Sequence, residues 1–203
     1  DRVLELVHKG VTAARHIEAG RRVKDAGMEL SEYVMPGLGG RALTTEHAQE
    51  TARVLRAIDP HFIRLRTLAI ARGSPLAELC ETGRFEPLGD LEIVQELREL
   101  VDGLADVTST IRSDHVLNLL EEISGKLPDD RPRLLAALDR FLGLDDERRD
   151  AFVVGRRLGI LRRLDDLEDP VSRGRAEAAL GELRRRFPGP IDAAIRELMT
   201  RFV

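Results

Sequence analysis

Residues 28–40 read MELSEYVMPGLGG and predict a β-strand that runs into a glycine-rich loop. Leu, Tyr and Val favour a strand up to Met35. In the loop, Pro36–Gly40, the glycines would let backbone N–H groups approach a ligand. The loop matches neither the dinucleotide fingerprint nor the P-loop, and an ordinary turn between strand and helix also explains its glycines. A helix capped by Thr44 or Thr45 follows, so the segment predicts one βα unit.

Two more strands are predicted downstream, at residues 61–70 (HFIRLRTLAI) and 106–112 (DVTSTIR). Helices are expected around them, at residues 2–9, 12–26, 75–80 and 90–104. Alternating helices and strands with short connections are typical of a parallel β/α sheet. We therefore predict an α/β fold for residues 1–124.

Strand signals disappear after Gly125. Helices are expected at residues 129–142, 145–167, 171–187 and 190–202. We therefore predict that residues 125–203 form a small all-α region after the α/β part.

The predicted sheet has one apolar and one polar face, because side chains alternate along a strand. One set comprises Ile63, Leu65, Thr67, Val107, Ser109 and Ile111, and the opposite set Arg64, Arg66, Leu68, Thr108, Thr110 and Arg112. Three strands do not close a barrel. The polar face is therefore either a solvated face of a small sheet or the lumen of a larger barrel, and both interpretations stay open.

The sequence Arg112-Ser113-Asp114-His115 lies at the end of the third predicted strand, where catalytic residues of parallel barrels collect. Arg112 could bind a carboxylate or phosphate, and His115 could transfer a proton. These two residues are the catalytic candidates. Alternatively, Ser113 or Asp114 caps a helix that contains residues 116–120.

The remaining histidines show no metal-binding spacing, and His8, His16 and His47 are expected on solvated helix surfaces. Cys80 is the chain's single cysteine, expected to be a buried structural thiol. One cysteine excludes a disulfide framework, a multi-cysteine zinc site and an iron–sulfur cluster built by this chain alone.

The 203 residues carry a net charge of −4, which argues against nucleic-acid binding through bulk positive charge. No apolar run reaches the roughly 20 residues that span a bilayer. We also find no signal-peptide pattern, so the cytoplasm is the expected location.

Arginines recur in the predicted helical region. Arg149, Arg156 and Arg163 are seven residues apart and would share one helix face. Acidic residues are interspersed, which favours a charge-balanced solvated face. The alternative is a non-catalytic binding module whose arginine-rich helices bind RNA or a protein partner.

Residues 1–124 resemble the C-terminal half of a radical S-adenosylmethionine (SAM) barrel. This superfamily includes oxygen-independent coproporphyrinogen oxidase-like and elongator-protein-like enzymes. The resemblance begins with residues 1–12 (DRVLELVHKGVT), similar to the segment after the fourth strand of that barrel. Residues 13–40 resemble the next helix, the fifth strand and its glycine loop.

Residues 59–79 (DPHFIRLRTLAIARGSPLAEL) resemble the sixth strand and the Pro-Gly-Thr-Pro-Leu element that follows it, here altered to Arg72-Gly73-Ser74-Pro75-Leu76. Residues 106–120 (DVTSTIRSDHVLNLL) resemble an extension found in one uncharacterised branch of the superfamily. The helical region carries no motif of the family.

The resemblance implies a parent enzyme that cleaves SAM reductively at a [4Fe–4S] cluster and generates a 5′-deoxyadenosyl radical. This chain has no CxxxCxxC motif, so the cluster and the first four strands are expected upstream of Asp1, and the chain alone is expected to be inactive. Its expected partner is the N-terminal half of its own barrel. Uncovered core faces could also make the fragment self-associate. The resemblance names no substrate.

The resemblance also implies which residues face the ligand. The fifth-strand end and loop would flank the methionine or adenosine of SAM, through Tyr33, Met35, Pro36, Gly37, Leu38 and Gly39. The sixth-strand end would contact adenine, through Thr67, Leu68 and Ala69. Arg64, Arg66 and Arg112 would face the lumen, towards SAM or the substrate.

Overall fold

The computed structural model describes residues 1–199, apart from the side chain of Leu198, and has an α/β fold. Its sheet has the order β1 (Ser31–Val34), β2 (Phe62–Leu65), β3 (Thr110–Arg112), β4 (Gly125–Lys126). The first three strands are parallel neighbours in chain order, and β4 pairs antiparallel with β3. The predicted α/β class and the parallel arrangement of the three strands are confirmed, whereas β4 was not predicted.

The helices within the described residues are α1 (Arg2–Leu6), α2 (Ala13–Asp25), α3 (Gly40–Ile58), α4 (Pro75–Glu81), α5 (Asp90–Asp102), α6 (Arg131–Leu142), α7 (Asp146–Arg157), α8 (Pro170–Arg186) and α9 (Ile191–Met199). A 3-10 helix spans Leu164–Leu167. Thr12 caps α2 as predicted, since its hydroxyl accepts from the N–H of Arg15. The predicted cap at Thr44 or Thr45 is wrong, because α3 already begins at Gly40 and is kinked at Leu43.

Two predicted helices differ from the structure. Residues 116–120 form a turn at 116–117 followed by irregular backbone, because tertiary hydrogen bonds of Asn118 determine their path. The helix predicted over 145–167 ends at Arg157, and Gly159 then adopts a left-handed φ of 71° that a helix does not tolerate. The predicted helix 190–202 is present up to Met199, and its last three residues lie outside the described part of the chain.

The apolar face of the sheet is covered by helices. Val34, Ile63, Leu65 and Ile111 are buried together with side chains of α3 and α5. Helices α3 and α5 contact each other and each lies in a connection between parallel neighbours, so both lie on the same side of the sheet. The opposite face stays accessible: Tyr33 is 56% exposed.

The helical region continues the same apolar core. Phe141 of α6 and Phe152 of α7 are fully buried, and their ring centroids lie 5.9 Å apart. Both belong to the cluster that contains Ile63 and Ile111 of the sheet. The predicted boundary near residue 125 is therefore a change of secondary structure within one continuous core. No helix within residues 1–199 combines the length and apolar character needed to cross a membrane.

Candidate ligand-binding face of the sheet

Three predicted site residues form one row across the accessible sheet face. Tyr33 of β1 is in register with Arg64 of β2, which is in register with Arg112 of β3. Arg66 follows two residues after Arg64 and therefore lies on the same face. Its guanidinium carbon lies 4.6 Å from the centroid of the Tyr33 ring, a cation–π contact that orients Arg66. The structure thus brings together the side chains expected to face a lumen.

The charges on this face are unbalanced. The side chain of Arg64 lies 3.6 Å from the Asp114 carboxylate. Arg66 and Arg112 form no ion pair with any described residue. His115 is half-buried, and burial, reinforced by the positive charge of Arg66, lowers the pKa of its imidazole, while Asp114 acts in the opposite direction. The imidazole is therefore neutral at pH 7, and the face carries an excess of positive charge.

Asn118 fixes the segment that follows Arg112. Its buried side-chain oxygen accepts from the N–H and the hydroxyl of Thr67, at 2.9 and 3.1 Å. Its amide nitrogen donates to the carbonyl of Leu65 and to the hydroxyl of Ser113, at 2.9 and 3.1 Å. Asn118 thus joins the ends of β2 and β3. Ser113 does not cap a helix; its hydroxyl donates to the carbonyl of Leu120.

Two arginines of α7 also bind the segment that follows Arg112. Arg156 donates to the carbonyl of Leu119 at 2.8 Å, and Arg157 donates to the carbonyl of Leu117 at 2.7 Å. Arg157 also forms a buried ion pair with Asp90, the first residue of α5. The helical region therefore supports the segment that carries Asp114 and His115.

The predicted arginine face of the helical region is wrong. Arg163 lies beyond the end of α7, and the side chain of Arg156 is only 10% exposed. Arg149 donates to the carbonyl of Leu144 and pairs with Asp146. Two of the three arginines are thus engaged in contacts inside the chain.

Glu96 of α5 holds the glycine loop. Its buried carboxylate accepts from the N–H of Gly37 at 2.8 Å and from the hydroxyl of Thr44 at 2.7 Å, and the Nδ1 of His47 lies 3.0 Å away. The Gly37 amide is thus already bound within the chain. His47, expected on a solvated surface, is only 10% exposed because it faces Glu96.

The other loop glycines are required by packing. A Cβ on Gly39 would lie 3.0 Å from the Cβ of His47, and a Cβ on Gly40 would lie 2.9 Å from the Phe85 ring. Gly40 also has a φ of 59°, which L side chains rarely adopt. Internal packing therefore explains these glycines without a ligand.

The remaining predicted ligand residues are divided between two cavities. A cavity of about 440 Å³ beside β1 and α3 is lined by Tyr33, Met35, Leu38 and Arg66. A second cavity, of about 570 Å³, lies between the end of β2, α4, α5 and α9, and includes Gly37, Leu68 and Ala69. Pro36 and Gly39 are buried. Thr67 is also buried, and its hydroxyl donates to Asn118, so it is not available to contact adenine.

No group of three metal-binding side chains occurs in the part of the chain that the structure describes. Cys80 is half-buried, and burial raises the pKa of its thiol. A [4Fe–4S] cluster needs several thiolates, so the residues of this chain do not fit such a group.

Two residues that position the site were not found from sequence. The sequence does contain a signal for Glu96: the residue occupies an inward position among Ile93, Leu97 and Leu100, on the apolar stripe of its helix. A carboxylate at such a position needs a buried partner. Asn118 lies among leucines and had no comparable periodic signal.

Comparisons with protein-family models, with curated proteins and with solved structures found no match to this chain.

Proposed function

We propose that this chain forms the C-terminal half of a β/α barrel in a radical SAM enzyme, and that its accessible sheet face lines the lumen. The row formed by Tyr33, Arg64 and Arg112 carries this proposal. A barrel strand turns one set of side chains towards helices and the other towards the lumen, where catalytic groups lie. The polar row, on the face opposite α3 and α5, has the character expected of a lumen.

The order of the strands supports a barrel over a doubly wound sheet. In a doubly wound sheet the strand order reverses and helices cover both faces. Here β1, β2 and β3 are neighbours in chain order, and α3 and α5, which lie in the connections between them, are on one side of the sheet. Strand β1 has a partner on one side only, so it offers an edge on which a preceding strand could pair.

Within this proposal, Tyr33, Met35 and Leu38 would contact SAM in the cavity beside β1 and α3, whereas Leu68 and Ala69 line the second cavity. SAM would supply the precursor of an organic radical, while the residues of this chain bind and orient it. Thr67, Pro36 and the Gly37 amide would act indirectly, by shaping the end of the sheet. The cluster would have to be held by residues outside this chain.

The coding sequence immediately before Asp1 provides a direct test. We expect it to encode, in the same reading frame, four β/α units with a CxxxCxxC motif after the first strand. An upstream sequence without such a motif would refute the proposal.

Binding provides a second test, on the full-length protein. S-adenosylhomocysteine should bind in isothermal titration calorimetry, and Tyr33→Ala should weaken its affinity about tenfold by removing an aromatic contact. Val171→Ala is the matched control, because Val171 is 69% exposed and lies on α8, far along the chain from the sheet. Equal affinities for the wild type and Tyr33→Ala would remove Tyr33 from the SAM site, and no binding at all would count against the function.

A further inference from the structure

We infer that the substrate bound on the accessible sheet face carries a carboxylate or phosphate group, and that Arg66 and Arg112 bind this group. The inference rests on the proposed function, because it names the substrate class of the same face. Its support comes from the contacts and charges of these two arginines.

Arg66 and Arg112 differ from most arginines of the chain in having no anionic partner. Arginines outside this face commonly pair with a carboxylate, as Arg41 does with Glu92 at 2.9 Å and Arg184 does with Glu147 at 2.8 Å. The side chains of Arg66 and Arg112 form no ion pair or hydrogen bond with a described residue. Each therefore keeps its five N–H donors available.

Arg66 is held in place by a contact that leaves those donors free. Its guanidinium group lies over the Tyr33 ring, with 4.6 Å between the guanidinium carbon and the ring centroid. An aromatic ring covers the flat face of a guanidinium group, whereas the N–H groups point outward in its plane. Arg66 is thus oriented before any ligand binds.

The two arginines are close enough to share one ligand. Arg112 is in register with Arg64. Arg66 lies two residues after Arg64, just beyond the end of β2, where its N–H still pairs with the carbonyl of Val34. Neighbouring strands lie about 5 Å apart, and two residues advance about 6.6 Å along a strand. Two long side chains at that separation can converge on a single carboxylate or phosphate.

The local charge favours an anion. On the sheet face, Arg64, Arg66 and Arg112 carry three positive charges, and Asp114 supplies one negative charge. The cavity beside Arg66 also contains carboxylates, but these already have partners within the chain: Glu32 pairs with His16, Glu46 with Arg2 and Glu50 with Arg53. His115 adds no charge at neutral pH, because burial and Arg66 lower the pKa of its imidazole. This positive excess occurs in a chain whose net charge is −4, so it is a local property of the sheet face.

The test uses the chain of residues 1–203, labelled with ¹⁵N and titrated with pyrophosphate or citrate at constant ionic strength. We expect saturable shifts of the Nε–H signals of Arg66 and Arg112. Arg66→Gln and Arg112→Gln should each weaken binding about tenfold, because each removes charged hydrogen bonds. Arg112→Lys, which keeps the charge, should weaken it less. A preference for pyrophosphate or for citrate would identify the group as phosphate or carboxylate.

Arg175→Gln is the matched control, because Arg175 is exposed on α8 and forms no ion pair with a described residue. It should change the affinity less than twofold. The inference is wrong if the signal shifts saturate with neither anion. It is also wrong if Arg66→Gln, Arg112→Gln and Arg175→Gln weaken binding equally, since net charge alone would then explain the effect.

A final titration, on the full-length protein, separates this inference from the proposed function. Pyrophosphate or citrate should still bind when S-adenosylhomocysteine is saturating. If S-adenosylhomocysteine displaces the anion, the arginines bind the cofactor's carboxylate and the substrate inference is wrong, while the proposed function stands. If the anion binds at Arg66 and Arg112 but S-adenosylhomocysteine never binds, the anion site stands and the radical SAM proposal loses its support.

Discussion

The N–H of Gly37 donates a 2.8 Å hydrogen bond to the buried carboxylate of Glu96, 59 residues further along the chain. The contact joins the loop after β1 to the middle of α5. Because Thr44 donates to the same carboxylate, one side chain fixes both the loop and the first turns of α3. The end of β1 therefore depends on a residue that belongs to a different βα unit.

Glu96→Ala should lower the free energy of unfolding by about 3 kcal/mol, since it leaves several buried donors without an acceptor. Glu96→Gln keeps one acceptor oxygen and should have a smaller effect. Urea denaturation followed by circular dichroism measures both. Glu99→Ala is the control on the same helix, where Glu99 accepts an exposed hydrogen bond from Gln49. Similar losses for Glu96→Ala and Glu99→Ala would contradict the role of Glu96.

Asn118→Ala should lower the free energy of unfolding by about 2–3 kcal/mol, because the carbonyl of Leu65 and the N–H of Thr67 lose their buried partner. Amide hydrogen exchange should also quicken at Thr67. Val116→Ala, two residues away and 65% exposed, is the control. If exchange at Thr67 is unchanged in Asn118→Ala, the side chain does not join the two strands.

The buried pair of Arg157 and Asp90 should show strong coupling. Arg157→Ala leaves the Asp90 carboxylate buried and should lower the free energy of unfolding by about 3–5 kcal/mol. The double variant with Asp90→Ala should lose less than the sum of the two single losses, because no buried charge remains unpaired. Arg162→Ala, whose side chain is 79% exposed, is the control. Additive losses in the cycle would show that the pair is not coupled.

His115 should titrate below the ordinary histidine value of about 6.5. Burial disfavours the charged imidazole, and Arg66 repels its proton, so Arg66→Gln should raise the midpoint and Asp114→Asn should lower it. The unfolded chain then binds the proton at higher pH than the folded chain. Stability should therefore fall as pH drops from the unfolded pKa to the folded one. NMR titration of the ring protons measures the midpoint, with Arg175→Gln as the unaffected control. A midpoint that does not respond to Arg66→Gln would place the two groups too far apart to interact.

The parts of the fold that could be predicted depend on short-range pattern. Strand alternation predicted that Arg64 and Arg66 share one face and that Arg112 lies on the polar face of its own strand, because side-chain direction along a strand follows from sequence spacing. The contact of Tyr33 with Arg66 was not predictable in the same way. It depends on the register between two strands, which the spacing within either strand does not determine.

The errors have a common physical cause. Residues 116–120 have enough leucine for a helix, yet the side chain of Asn118 bonds Leu65, Thr67 and Ser113 at the ends of β2 and β3. The helical position of His47 predicts a solvated side chain, whereas in the structure this side chain faces the buried carboxylate of Glu96. In both cases a tertiary hydrogen bond overrides a local preference.

The hydrogen bonds from α7 to the carbonyls of Leu117 and Leu119 couple the position of the helical region to the segment that carries Asp114 and His115. A substitution that shifts α7 would move Asp114 and His115 without altering any residue on the sheet face. Substitutions in the C-terminal helices could thus reshape the accessible face while the three parallel strands stay the same. A chain shortened at residue 125 would keep Arg64 and Arg112. It would lose Arg156 and Arg157, whose hydrogen bonds hold the segment that carries Asp114 and His115.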